Sequence, residues 1–289
     1  MNWNRVLNVF IAVFLLLNLG IFGFRYMESR KSHSLSPERE AQLKAVLQER
    51  KGIMIYDHLP DFYPKSRLEL QPPVLDQGQK EKIRNHLVGG QARFSIAPGN
   101  GERYAGEEGD VVFSSGTDAG RILFQGRPSA YAVQGTGREG MAKAAQQFAG
   151  DLYPGKVGMV LTQQRMEGDT VVFLFNERYK GELLFCNQVE VRIDGSGRWE
   201  VEAIRYPPLE FRPPAWEVVP VDEALYQFML HLEPREGDLV KITDIDLGYD
   251  LDPGTGSGAV VLEAMPYYRI RTADHGEHRI HGFTNKLQP

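Results

Sequence analysis

A chain of 289 residues, 42% hydrophobic and 25% charged, has enough material for one large core or two small ones once any anchor is set aside. Its net charge of -5 arises from 38 acidic residues scattered among 33 basic ones, so no basic stripe of the kind that holds nucleic acid is present, and DNA or RNA is not an expected partner. The single cysteine, Cys186, rules out an internal disulfide framework and a cysteine metal cluster.

Residues 6–24 read VLNVFIAVFLLLNLGIFGF, nineteen positions without a charge. At about 1.5 Å per residue such a helix spans roughly 28 Å, the thickness of bilayer hydrocarbon. Trp3 and Tyr26 flank it where amphipathic rings favour the interface. Ile21-Phe22-Gly23-Phe24 supplies no small-x-small cleavage site, so an uncleaved anchor is expected rather than a signal peptide. Orientation is left open: Arg25, Arg30 and Lys31 after the span favour a cytoplasmic domain, but that rule weakens for long domains. Asn8 and Asn18 place amides within the span, and Gly20 adds a small residue beside Asn18; these three are the candidate contacts to a partner helix. The alternative for Asn18 is a polar residue that the span tolerates.

Ser36 and Pro37 predict a helix start and Gly52 its end, with Leu43, Val46 and Leu47 as the apolar stripe. A short strand follows at 53–55. Pro60, Pro64, Pro72 and Pro73 then predict extended irregular chain. A pattern of one helix and then a meander recurs: helix 77–87 before strands at 92–96, 110–113, 121–124 and 129–133, then helix 139–152 before strands at 157–163, 170–175, 183–193 and 199–206. Pro207, Pro208, Pro213 and Pro214 predict a linker, after which helix 221–232 precedes strands at 240–247, 259–264, 267–271 and 278–283. This order predicts an α+β fold, an N-terminal transmembrane helix followed by repeated helix-plus-antiparallel-meander units. The expected division is an anchor at 1–31, a juxtamembrane helix and extended linker at 32–73, an α+β subdomain at 74–208 and a smaller one at 209–289.

No catalytic or cofactor motif emerges, and the expectation is a protein that is not an enzyme and carries no cofactor or metal. Residues 254–259 contain G-x-G-x-x-A, but a strand-like run follows where a dinucleotide site needs a helix, so a hairpin loop is the better reading. His275, His278 and His281 suit neither a strand face nor a helix broken by Gly276 and Gly282. G-x-S-x-G, H-E-x-x-H and the phosphate-loop pattern are absent. Cys186 lies in the apolar run Leu183-Leu184-Phe185-Cys186 and reads as core.

Two stretches together resemble the YycI family of membrane-anchored regulators. The first is Met1-Asn2-Trp3-Asn4-Arg5 running into Phe10-Ile11-Ala12-Val13-Phe14-Leu15-Leu16-Leu17-Asn18. The second comprises Leu247-Gly248-Tyr249, Met265-Pro266-Tyr267-Tyr268-Arg269-Ile270 and Ile280-His281-Gly282-Phe283-Thr284, similar to the family's L-G-Y, P-x-W-R-I and closing N-A-F-T-G segments. Tyr268 stands where the family has tryptophan, His281-Gly282 where it has Asn-Ala, and Asn285 where it has glycine. The resemblance implies a single-pass protein of a Gram-positive cell membrane whose extracytoplasmic domain is related to YycH units and has some likeness to PepSY domains. It also implies a WalK-like sensor histidine kinase and a YycH-like protein as partners, the anchor helix contacting the kinase's membrane helices. The alternative function is a PepSY-like inhibitor or chaperone module that holds an exported enzyme at the membrane.

Overall fold

The computed structural model describes residues 14–20, 33–116, 119–131, 137–153, 155, 157–232, 239–254, 260–274 and 276–288. In chain order these form α1 (residues 14–20), α2 (Pro37–Lys51), β1 (Ile53–Ile55), β2 (Lys65–Leu70), α3 (Gln77–Val88), β3 (Arg93–Ala97), β4 (Gly101–Ala105), β5 (Gly109–Phe113), β6 (Ile122–Gly126) and α4 (Arg138–Asp151). There follow β7 (Met159–Glu167), β8 (Thr170–Tyr179), β9 (Glu182–Ile193), β10 (Trp199–Ile204), β11 (Pro208–Trp216), α5 (Val221–His231), β12 (Val240–Leu251), β13 (Leu262–Thr272), β14 (Glu277–His281) and β15 (Leu287–Gln288). The fold is mixed α+β and rich in sheet, with each of α3, α4 and α5 followed by strands, as the sequence pattern predicts.

The expected membrane span lies mostly outside the described residues; of it, only α1 is described, and all seven of its residues are exposed. Among the described residues no helix is long and apolar enough to cross a membrane.

Two compact units emerge, and both are discontinuous in sequence: one holds residues 1–65, 216–247 and 267–289, the other 66–215 and 248–266. These limits do not coincide with the sequence-based boundaries at 73/74 and 208/209. The reason is that β12 and β13 are each divided between the two units, a feature no local composition shift marks.

In the larger unit, β3-β4-β5-β6-β10-β9-β8-β7 form an antiparallel run. Strict alternation puts Val111, Phe113, Ile122, Phe124, Val189, Val191, Val201 and Ala203 on one buried face. Onto that face pack Ile83 and Leu87 of α3 and Ala145, Phe148 and Leu152 of α4, with Trp199 and Tyr131 against Phe148. Asp76 caps α3 by accepting from the Gln79 amide while the Gln79 side chain accepts from the Asp76 amide.

β9 changes partners along its length. Its second half, from Gln188, lies between β8 and β10; near its start, Leu184 pairs in parallel with Tyr249 of β12. Between these stretches the register against β8 jumps, with Asn176 opposite Gln188 but Glu177 opposite Leu184, so residues 185–187 bulge out. β7 bulges alongside, at Thr162. Buried amides occupy the gaps. Asn176 donates to the carbonyls of Phe185 and Asn187 at 3.3 and 3.2 Å and accepts from Thr162 Oγ1 at 2.7 Å. Asn187 accepts from the Tyr206 amide at 2.8 Å and donates to the Tyr206 carbonyl at 2.9 Å and to Glu177 at 2.8 Å. Glu177 in turn receives Arg205 through two bonds of 2.8 and 2.9 Å. Gly248 is required beside the bulge, because a Cβ there would lie 2.6 Å from the Phe185 ring and 2.7 Å from the Leu183 carbonyl.

In the other unit, Ser36 caps α2 by accepting from the Arg39 amide, and Gly52 ends it in the left-handed region at φ 64°. β1 pairs in parallel with β12, Ile53 opposite Val240, and β13 pairs with β14. Leu47, Ile53, Leu225, Phe228, Ile242 and Tyr268 make its core.

Several elements differ from the sequence reading. The proline-punctuated stretch contains β2, which fits because Pro64 and Pro72 flank it rather than interrupt it. The expected 207–214 linker is β11, at the end of the strand order beside β2, where an edge position accommodates proline's missing donor. Residues 129–131 form a 3₁₀ turn rather than a strand, β4 went unread, and β13 continues through Pro266 without the break expected near 265. Of the G-x-G-x-x-A segment, residues 255–259 lie outside the described residues; β12 ends before it and β13 begins at Leu262 rather than at 259, with the Asp252 amide donating to the Glu263 carbonyl at 3.0 Å.

Asn187→Ala should lower the unfolding free energy by about 3 kcal/mol, because it strands the Tyr206 amide and part of Glu177 in a buried site. Urea titration of full-length protein in mild detergent, followed by circular dichroism, measures this; a change below about 1 kcal/mol would refute the account of the bulge.

Candidate functional site

The residues singled out for chemistry in the sequence serve the fold. Cys186 is buried. The His278 ring meets Phe228 edge-on at 5.0 Å, and the His281 ring meets Tyr267 at 4.9 Å. His281 Nδ1 accepts from the amides of Phe283 and Thr284 at 3.1 and 3.4 Å, which shapes the turn after β14. His275 lies outside the described residues. Among the described residues no group of three or more His, Cys, Asp or Glu side chains is placed to hold a metal ion.

Of the three expected helix-contact residues, Asn8 lies outside the described residues, and Asn18 and Gly20 sit on α1. Asn18 Nδ2 donates to the Phe14 carbonyl one turn back, at 2.8 Å. A carboxamide has two N–H donors and an acceptor oxygen, so this bond leaves capacity for a neighbouring helix. Residues two apart on a helix point about 200° away from one another, so one partner helix would meet Asn18 or Gly20 but not both.

Buried charge concentrates in the smaller unit. Arg269 and Arg271 of β13 are 1% and 2% exposed, and both donate to Asp246 of β12 at 2.8 Å; Arg271 also reaches Asp244 at 2.8 Å. Burial raises the Asp244 carboxyl above the ordinary carboxylate range, with Arg271 opposing, and burial together with Arg269 lowers the Arg271 guanidinium. These residues bind one another and are a structural pair of strands, not an open site.

Among the described residues, a broad polar surface is left open on the other face of the antiparallel sheet in the larger unit. The alternation that buries Val111, Phe124 and Val201 turns Arg103, Asp110, Val112, Leu123, Gln125, Glu190, Arg192, Glu200 and Glu202 outward. They line a hollow of about 480 Å³. Val112 and Leu123, opposite each other on β5 and β6, give it an apolar floor. Charges ring that floor: Arg103 binds Asp110, Arg192 binds Glu190 at 2.7 Å, and Arg121 binds Glu202 at 2.7 Å. Arg192 is held more firmly protonated by its hydrogen bond to Glu190. Glu200 receives a long 3.4 Å bond from Gln125 and lies close enough to Arg192 to favour its charged form. Acidic groups outnumber basic ones in the lining, four to two, so the hollow favours a partner segment with basic and short apolar side chains. Sequence reading missed this face because its carboxylates look like general acidic background; the period-two spacing of 190/192 and 200/202 is the signal that could have found it.

No protein-family model matches the chain, and no curated protein matches it. Solved structures do match. A crystal structure of an uncharacterized protein from Eubacterium rectale ATCC 33656 is similar over 83% of this chain and 91% of its own, at 10% identity and a TM-score of 0.50. That likeness is one of fold. The Bacillus megaterium YpeB C-terminal domain is a weaker neighbour, matching 74% of this chain and 97% of its own at 12% identity and a TM-score of 0.37.

The raised Asp244 carboxyl carries a pH signature. A group whose folded pKa exceeds its unfolded one contributes stability below the unfolded value, and that contribution is lost as pH rises through the folded value. Stability measured from about pH 4 to about pH 7 should therefore fall more in the natural protein than in Asp244→Asn, which cannot ionise. Parallel pH profiles from urea midpoints would refute it. Asp246→Ala, which leaves two buried guanidinium groups short of a carboxylate, should cost about 3 kcal/mol or more in the same assay.

Proposed function

We propose that the chain is a membrane-tethered binding protein that presents the open sheet face of its α+β domain to a protein partner outside the cytoplasm. The observation that carries this reading is the hollow on that face. It combines an apolar floor of Val112 and Leu123 with a ring of charges of net acidic character, a surface that suits electrostatic complementarity to a basic partner segment. The residues that resemble the YycI family supply the finer identification. On that basis the protein regulates a WalK-like sensor histidine kinase together with a YycH-like partner, with the helix at 6–24 lying against the kinase's membrane helices. The order of helix then meander supports the YycH- and PepSY-like relationship that the resemblance implies. Regulation of this kind requires tighter binding to one kinase state than to the other. A small residue or an amide suits such contact, because packing and hydrogen bonding rather than hydrophobicity hold helices together in lipid.

Two variants test the two surfaces separately in a two-hybrid or crosslinking assay with the cognate sensor kinase. Asn18→Leu should weaken association by about 1 kcal/mol, roughly fivefold, with insertion preserved. Glu200→Lys, exposed on β10, should leave kinase association intact and weaken capture of the extracytoplasmic partner. Full kinase association by a soluble fragment lacking the anchor would overturn the helix contact, and unchanged partner capture by Glu200→Lys would overturn the role of the face.

A further inference from the structure

Among the described residues, the antiparallel sheet of the larger unit ends at β3, and the far end of the strand order is β11. The two edges are built differently. β11 carries Pro208, Pro213 and Pro214, with Arg212 bound to Glu69 at 2.7 Å and to Glu210 at 2.9 Å, a combination of proline and charge that discourages further pairing. β3 reads Arg93-Phe94-Ser95-Ile96-Ala97, with neither proline nor a charge in its interior. Phe94 is 58% exposed and Ile96 74%. Both point to the face that α3 covers further in, since Phe94 lies opposite Tyr104 and stacks on it at 5.4 Å, yet both stand beyond the helix. An unpaired strand edge with an apolar stripe is a template for another strand.

We propose that this edge pairs with β3 of a second copy of the chain. The strand is complementary to itself. Antiparallel pairing with Ser95 on the two-fold axis sets Phe94 opposite Ile96 of the second copy and Ile96 opposite its Phe94, so the four side chains gather on one face. Arg93 then faces Ala97, and the two arginines stand roughly 14 Å apart along the strands, so no like charges oppose each other. A shift by one residue breaks this arrangement, because it throws the apolar pair of one copy onto the polar face of the other. The paired edges join the two antiparallel runs into one continuous sheet.

The test uses the full-length protein in its native membranes. Ser95→Cys places two thiols across the axis, where opposed Cα atoms in an antiparallel ladder are about 4.5–5.5 Å apart, within disulfide range. Oxidation with copper phenanthroline should convert it to a reducible band near twice the 32.6 kDa chain. The natural protein, whose Cys186 is buried, and Arg93→Cys should give little of that band. Adding Ile96→Lys to Ser95→Cys should abolish it. Independently, light scattering in detergent should show a dimer for the natural protein and a monomer for Ile96→Lys. Absence of the Ser95→Cys dimer, equal crosslinking from Arg93→Cys, a product whose mass includes a foreign protein, or a monomeric natural protein would each overturn the proposal.

Discussion

Everything in the larger unit turns on how β9 serves two sets of neighbours. β10 accompanies β9 from Ile193 to Gln188, where it ends at Ile204, and β12 meets β9 nearer its start, at Leu184. Between these two stretches residues 185–187 bulge from the ladder with β8, and the backbone groups there need other partners. Asn176 and Asn187 answer that cost with carboxamides, whose donor and acceptor reproduce a short piece of missing strand. Glu177 and Arg205 complete the set as a buried ion pair with charge-assisted bonds on both oxygens. A polar group this deep is tolerable only because its partners are all present.

The helices were legible because their signals are local. Ser36 and Gly52 mark the ends of α2 by chemistry that involves a few neighbouring residues, and the stripe of α4 through Phe148 and Leu152 needs only a helical period. The long central strands were legible for the same reason, since alternation shows directly in β9 and β10. What failed was proline. Local composition predicts irregular chain where β2 and β11 form, whereas the effect of proline depends on whether a position needs its amide, and that depends on distant chain. The open polar face escaped notice because exposure on one side of a sheet is a property of which strands meet, and pairs such as Leu123 with Glu202 join residues from separate repeats.

The segments that carry the family resemblance at the C-terminal end turn out to be packing positions. Gly248 makes room for Phe185, Tyr249 donates to the Ser66 carbonyl at 2.8 Å, and Tyr268 donates to the Val219 carbonyl at 2.7 Å. Arg269 serves Asp246, and His281 shapes a turn. Such a set of residues specifies a fold more directly than it specifies a ligand.

The pairing of Ile53 with Val240 carries a consequence for biosynthesis. A chain made from its amino end exposes β1 and the apolar side of α2 long before β12, β13 and β14 emerge to cover them. Loop closure over so long an interval is slow compared with forming the neighbouring hairpins β3 to β6, so the smaller unit is the last to be sealed although it holds the first residues. Synthesis of such a chain calls for a holding factor or rapid folding of its end, because its earliest hydrophobic stripe waits on its final strands.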